Sequence, residues 1–138
     1  MTDQPSHVLT ETPVYATIPT ADLERARRFY DGTLDLAPHR EVGPEVVYRA
    51  GSTYLDVYVT EAAGLARHTL GSFVVDDIQA TTNALRAHGV TFEAYDLPGL
   101  KTVDGIARLG PDAVAWFKDP DGNILSLTQE NAQASPRT

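Results

Sequence analysis

The stretch Ala16-Thr-Ile-Pro-Thr-Ala-Asp22-Leu23-Glu-Arg-Ala26 has a counterpart 55 positions later, Gly71-Ser-Phe-Val-Val-Asp-Asp77-Ile78-Gln-Ala-Thr81. Each copy reads as a short strand, then an aspartate suited to cap a helix, then a helix that begins at an aliphatic residue. A hairpin-like segment closes each copy, at 46–59 and at 114–127. The sequence therefore predicts one strand–helix–hairpin unit written twice, with a pseudo-symmetric pocket between the copies.

Composition sets the broad class of the protein. The chain of 138 residues is long enough for one domain with a substantial core, and its 42% hydrophobic and 22% charged residues are ordinary for a globular protein. The absence of cysteine excludes disulfides, thiolate metal sites and cysteine nucleophiles. A net charge of −8 argues against a nucleic-acid partner. With no signal segment and no apolar run of membrane-spanning length, we expect a cytoplasmic protein that is not bound to a membrane.

The patterns along the chain predict a single folded region with polar ends. We expect a flexible N-terminus at 1–12, one domain at 13–130 and a flexible tail at 131–138, with module 1 at about 13–60 and module 2 at about 69–129. A strand is predicted at 90–95, followed by a long loop at 96–112 that is either a binding lid or a plain surface excursion. Asp119-Pro-Asp-Gly-Asn123 is a strong turn signal.

Three features together resemble a known family. These are the duplicated units, the Phe29-Tyr30 pair on the first helix, and the ending Phe117-Lys-Asp-Pro-Asp-Gly-Asn-Ile-Leu-Ser-Leu127. They resemble the vicinal oxygen chelate superfamily, which includes glyoxalase I, bleomycin-resistance proteins and extradiol dioxygenases. The resemblance implies an α+β fold of two tandem βαβββ modules that form a cupped, barrel-like mixed sheet with helices outside. It also implies a homodimer, with the cavity either within one chain or shared between two.

The same resemblance locates the positions at which family enzymes hold a divalent metal, on the first and last strands of each module. Matching the two copies places these positions at Tyr15, Asp56, Leu70 and Ser126. Leucine offers no donor atom, a serine hydroxyl or a neutral phenol is a weak ligand, and Asp56 alone does not hold a transition metal tightly. We therefore expect no metal and no cofactor, and the metal-dependent reactions of the family are disfavoured.

Strand alternation places Tyr54, Asp56 and Tyr58 on one face, opposite Leu55 and Val57. Two flat phenols around one carboxylate suit an aromatic or polar organic ligand. Asp56 is the candidate acid or base, with His68 as a candidate catalytic partner. The other predicted ligand-binding residues are Tyr15, Leu70, Trp116, Ser126 and Lys101.

These observations predict a glyoxalase- or bleomycin-resistance-like protein that binds a small molecule without a metal. Its role would be to sequester or carry a small aromatic or cationic compound. The first alternative is a metal-independent lyase, isomerase or cyclase in which Asp56 transfers a proton. The second alternative is a metal-dependent glyoxalase or dioxygenase with atypical ligands.

Overall fold

The computed structural model describes residues 9–132. The ends that the sequence predicts to be flexible lie largely outside this range, at 1–8 and 133–138. Within 9–132, no helix is long and apolar enough to cross a membrane.

The first half of the chain forms one βαβββ module. Its elements are β1 (Ala16–Thr20), α1 (Leu23–Arg27) with a π-helical continuation (Arg28–Thr33), β2 (Ala37–Val42), β3 (Glu45–Ala50) and β4 (Thr53–Val59). The strands lie in the order β1-β4-β3-β2, with β1 parallel to β4 and the other pairs antiparallel. This mixed sheet is the first of the two predicted units.

The second half repeats this arrangement with additions. Its elements are β5 (Thr69–Val74), α2 (Ile78–Ala87), β6 (Asp96–Leu97), β7 (Leu100–Val103), β8 (Ile106–Leu109), β9 (Asp112–Lys118) and β10 (Ile124–Gln129). The strands lie in the order β5-β10-β9-β8-β7-β6, again with the first and last strands of the module parallel. The α+β prediction of two tandem modules is therefore confirmed, although neither sheet closes into a barrel.

Two predictions about the middle of module 2 were wrong. Residues 90–95 do not form a strand, since Phe92 makes only an isolated bridge to Phe117. The segment at 96–112 is not a long loop, because most of it pairs as the short antiparallel strands β6, β7 and β8. Its glycines at 99, 105 and 110 have positive φ and form tight turns, so the segment extends the sheet.

Both helices begin as the sequence predicts. The side chain of Asp22 accepts a hydrogen bond from the backbone N–H of Arg25, and Asp77 does the same for Ala80. The first helix then widens into a π-helical turn, where the N–H of Leu34 donates to the carbonyl of Phe29 at 2.8 Å.

The core lies on the side of the sheets that carries the helices. Leu55 and Val57 of β4 are buried there with Ile18, as alternation predicts. Phe117 of β9 is also buried in this core, so its neighbour Trp116 points to the opposite face. The two modules meet closely at β1 and β5, where a Cβ on Gly71 would lie 3.1 Å from the Cβ of Ala16.

The turn between β9 and β10 joins module 2 to module 1. The hydroxyl of Tyr30 donates to Asp119 Oδ2 at 2.7 Å, and Asn123 Nδ2 donates to the carbonyl of Pro19 at 2.7 Å. Asp121 accepts from the Thr20 hydroxyl at 2.6 Å and from the Ala21 N–H at 3.0 Å. The turn signal in the sequence therefore marks the contact that fixes the relative position of the two sheets.

Candidate functional site

The candidate site lies on the face of each sheet that is opposite to the helices, here called the open face. Strand register places Thr17, Asp56, Val47 and Arg40 side by side across β1, β4, β3 and β2. Glu45 lies opposite Tyr58, and it is therefore a diagonal neighbour of Asp56 on the same face. Register thus collects three charged side chains in the middle of module 1.

Asp56 is the most unusual side chain of this group. It is only 7% exposed, and its Oδ1 atom is buried without a hydrogen-bond partner among residues 9–132. Burial, and after it the interaction with Glu45, raises the pKa of Asp56 from 3.8 to about 6, while Arg40 acts in the opposite direction. A carboxyl group that titrates near neutrality and lacks a donor is suited to receive one from a bound molecule.

Aromatic rings lie on the same sheet face as this carboxyl group. Tyr15 is 45% exposed and packs edge-on against Tyr54, with the ring centroids 6.1 Å apart. His39 stacks on the same tyrosine at 4.7 Å, and its Nδ1 lies 3.2 Å from Arg49 Nη2. The Arg49 guanidinium lies 5.7 Å from the Tyr54 ring centroid. The open face of module 1 therefore presents flat surfaces beside a buried acid.

The open face of module 2 carries uncharged side chains around Ser126, the residue that corresponds to Asp56 in the repeat. The hydroxyls of Ser72 and Ser126 are hydrogen-bonded at 2.6 Å, and Trp116 Nε1 donates to Thr69 Oγ1 at 3.1 Å. Leu70 lies at a register irregularity between β5 and β10, and it packs against the core. Trp116 and Ser126 therefore share the open face with Ser72, while Leu70 is drawn toward the core.

Two cavities lie at separate places in the molecule. One of about 470 Å³ lies where the modules meet, between Arg49, Gly51 and Thr53 on one side and Ser72 and Val74 on the other. Lys101 belongs to a separate cavity of about 590 Å³ beside α2, together with Gln79 and Arg108. The structure thus places Lys101 away from the group around Asp56.

His68 occupies the exposed segment just before β5. The charged groups that act on Asp56 are Glu45 and Arg40, and His68 is not among them. The catalytic pairing of His68 with Asp56 stays a prediction, without a contact to support it.

The donor atoms at the family's metal positions do not fit a divalent transition metal. Leu70 has no donor, the Ser126 hydroxyl is hydrogen-bonded to Ser72, and Asp56 is the single carboxylate of the set. Register places Thr17 and Ser72, rather than Tyr15 and Leu70, directly beside Asp56 and Ser126, and this alternative set adds only hydroxyls. Across 9–132, no group of three or more His, Asp or Glu side chains is arranged to hold a metal ion.

A family model agrees with the duplicated fold. The model of the glyoxalase/bleomycin resistance protein/dioxygenase superfamily matches residues 12–127. The chain belongs to this superfamily. The resemblance to the vicinal oxygen chelate proteins is therefore confirmed. A separate comparison with curated proteins found no match by sequence.

Solved structures of this superfamily share the fold. The transposon Tn5 bleomycin resistance determinant is 18% identical with a TM-score of 0.65, covering 86% of this chain and 97% of its own. The fosfomycin resistance protein FosX from Mesorhizobium loti is 18% identical with a TM-score of 0.61, covering 91% and 97%. A lactoylglutathione lyase from Agrobacterium tumefaciens is 16% identical with a TM-score of 0.62, covering 86% and 93%. At these identities the likeness concerns the fold alone.

Sequence reasoning missed part of the module 1 face. From the sequence alone, His39, Arg40, Glu45 and Arg49 have no assigned role. Alternation along β3 predicts that Glu45 and Arg49 share a face, but only strand pairing shows which residues of β4 they meet.

Proposed function

We propose that this protein binds a small aromatic or cationic compound on the open face, without a metal, and sequesters or carries it. The observation that carries the proposal is the buried Asp56 carboxyl group, which has an unpartnered oxygen and lies among tyrosines. A buried acceptor without a donor costs free energy, and a ligand that supplies the donor recovers that cost. The bleomycin resistance determinant among the structural neighbours shows that the fold occurs in a resistance protein.

The module 2 side of the face supports an aromatic ligand. Trp116 is held edge-on by Tyr95 at a centroid distance of 5.5 Å and by its hydrogen bond to Thr69. A ring fixed in this way loses little freedom when a ligand packs against it. In the proposed complex, the rings of Trp116, Tyr15 and Tyr54 supply apolar contact area to the ligand. Asp56 orients the ligand.

A thermal-shift screen tests the proposal. The panel contains aromatic cations, neutral aromatics and aliphatic cations, and it includes bleomycin. A ligand at 100 times its Kd stabilises the folded state by about 2.7 kcal/mol, which is a clear rise in Tm. Asp56→Asn is expected to reduce the shift for a cationic hit, whereas Asp76→Asn, which changes an exposed aspartate, leaves it unchanged. If no compound in any class raises Tm, the proposal fails.

Metal independence is tested on the same protein. Elemental analysis after purification without chelator is expected to find no stoichiometric divalent metal. Dialysis against EDTA is expected to leave the Kd of a hit unchanged. A bound metal whose removal abolishes binding would favour the metal-dependent alternative instead.

One observation favours an enzymatic alternative. A carboxyl group with a pKa of about 6 exchanges its proton readily at neutral pH, as a general acid or base must. Asp56 would then serve a lyase, isomerase or cyclase step on the bound compound. Conversion of a hit by the wild type, lost in Asp56→Asn with affinity retained, would establish this alternative.

We also propose that the chain is a cytoplasmic homodimer, as the family resemblance implies. Light scattering coupled to size-exclusion chromatography measures its mass directly. A mass of one chain at micromolar concentration contradicts the dimer.

A further inference from the structure

Glu45 and Asp56 form a pair of neighbouring carboxyl groups on the open face of module 1. Strand register makes Glu45 a diagonal neighbour of Asp56 on the same face, close enough to interact with its side chain. Asp56 is more than nine-tenths buried, and no residue in the described part of the chain donates a hydrogen bond to its Oδ1. Two ionised carboxylates only accept hydrogen bonds, so their contact requires a proton or a cation between them.

The neighbouring charged side chains do not neutralise these two carboxylates. The other charged or titratable side chains on the face of the pair come from all four strands of module 1 or their ends: His39, Arg40, Arg49, Tyr15, Tyr54 and Tyr58. Arg40 favours the ionised form of Asp56, but no ion pair to Asp56 forms among the described residues. Arg49 is directed to His39 and Tyr54. Among the described residues, neither Glu45 nor Asp56 therefore has an ion-pair partner.

We propose that Glu45 and Asp56 together bind the cationic group of the ligand, an ammonium or amidinium that donates one N–H to each carboxylate. This inference rests on the proposed binding function and narrows its ligand class to organic cations with at least two N–H donors. Glu45 is then a residue that determines specificity. In the free protein at acidic pH, a proton on Asp56 occupies the place of the cation, and ligand binding releases that proton to solvent.

The proton exchange predicts how affinity changes with pH. Asp56 is protonated below about pH 6, and a cation then has to displace the proton. Affinity for a permanently charged ligand is therefore expected to fall about tenfold between pH 7 and pH 5. Removing the Glu45 charge lowers the pKa of Asp56. In Glu45→Gln, the decline in ligand affinity is therefore expected at lower pH than in the wild type.

Three small probes separate charge from hydrogen bonding. Benzamidinium is a flat cation with N–H donors, benzyltrimethylammonium is a cation without them, and benzamide is a neutral counterpart. Amide chemical shifts in two-dimensional NMR measure the Kd of each probe. The wild type at pH 7.5 is expected to bind benzamidinium at least about tenfold more tightly than the other two, because only this probe combines a positive charge with N–H donors.

Variants then test the role of Glu45. Glu45→Gln is expected to weaken benzamidinium about tenfold and to leave benzamide unchanged. Glu61→Gln removes the same charge from an exposed loop position and is the matched control. Urea midpoints and the remaining amide shifts verify that each variant is folded.

The outcomes distinguish this inference from the proposed function. Equal binding of benzamidinium and benzyltrimethylammonium overturns the two-donor inference, and so does a Glu45→Gln variant with unchanged affinity and pH dependence. Either result leaves binding of aromatic compounds intact. If no probe binds, the inference fails, while the broader thermal-shift panel still decides the binding function.

Discussion

Replacing Asp56 with asparagine is expected to stabilise the protein at neutral and alkaline pH. The folded state holds this carboxyl group buried beside Glu45, which raises its pKa from 3.8 to about 6. Between these pH values the folded chain binds more protons than the unfolded chain, so stability falls as the pH rises and levels off above about pH 6. Asparagine keeps the shape of the side chain and cannot ionise.

The magnitude follows from the two pKa values. Each tenfold difference in a proton dissociation constant corresponds to about 1.4 kcal/mol. The ionised Asp56 therefore destabilises the folded state by about 3 kcal/mol above pH 7, by roughly 1.5 kcal/mol at pH 5, and by almost nothing near pH 3.5. At each pH, the free energy of unfolding of Asp56→Asn is therefore expected to exceed that of the wild type by up to the amount given.

Urea unfolding at pH 8, 6.5, 5 and 4 measures the difference, with circular dichroism and the fluorescence of Trp116, the one tryptophan of the chain, as probes. Asp76→Asn is the matched control, because position 76 is exposed and the variant removes the same charge. The reasoning is refuted if Asp56→Asn is less stable than the wild type at pH 8. It is equally refuted if the difference between the two proteins does not change with pH.

Two further predictions concern the contact between the modules. Tyr30→Phe removes the hydrogen bond to buried Asp119 and is expected to lower the free energy of unfolding by about 1–2 kcal/mol, measured by urea denaturation. An unchanged urea midpoint would contradict that role. Gly64→Ala is expected to destabilise far more than Gly43→Ala in thermal unfolding, by at least about 2 kcal/mol. Both glycines have positive φ, but only at position 64 would the new Cβ lie 2.3 Å from a backbone oxygen, that of Asp121. Equal Tm values for the two variants would contradict this account.

The duplicated fold could be predicted because its signals are local. A capping aspartate such as Asp22 or Asp77 acts on the N–H groups of its own helix, and alternation along β4 separates the core side chains from the others. The segment at 96–112 was predicted less well, because strands of two to four residues carry too few alternating positions to register as strands. The prediction at 90–95 was wrong because alternation does not show how many residues find a strand partner, and here only Phe92 forms a bridge, to Phe117.

The candidate site, like the fold, could be predicted from the sequence only in part. Asp56 stood out in the sequence because it is the one carboxylate at the positions where the superfamily holds its metal. Its relation to Glu45 and Arg40 could not be predicted, because it depends on how β2, β3 and β4 pair, including the irregularity between Pro38 and Arg40. A shift of one residue in this pairing would send these side chains to the opposite face.

The sequence by itself determined the two-module architecture, the helix starts and the poor set of metal donors. These depend on residue identity and on spacing along one segment. Only the tertiary structure decided that Asp56 is buried without a donor, that Glu45 adjoins it, and that the turn at Asp119 ties the modules together. Burial and the pairing of charges depend on distances between segments that are far apart in the chain, and those distances exist only once the sheets have formed.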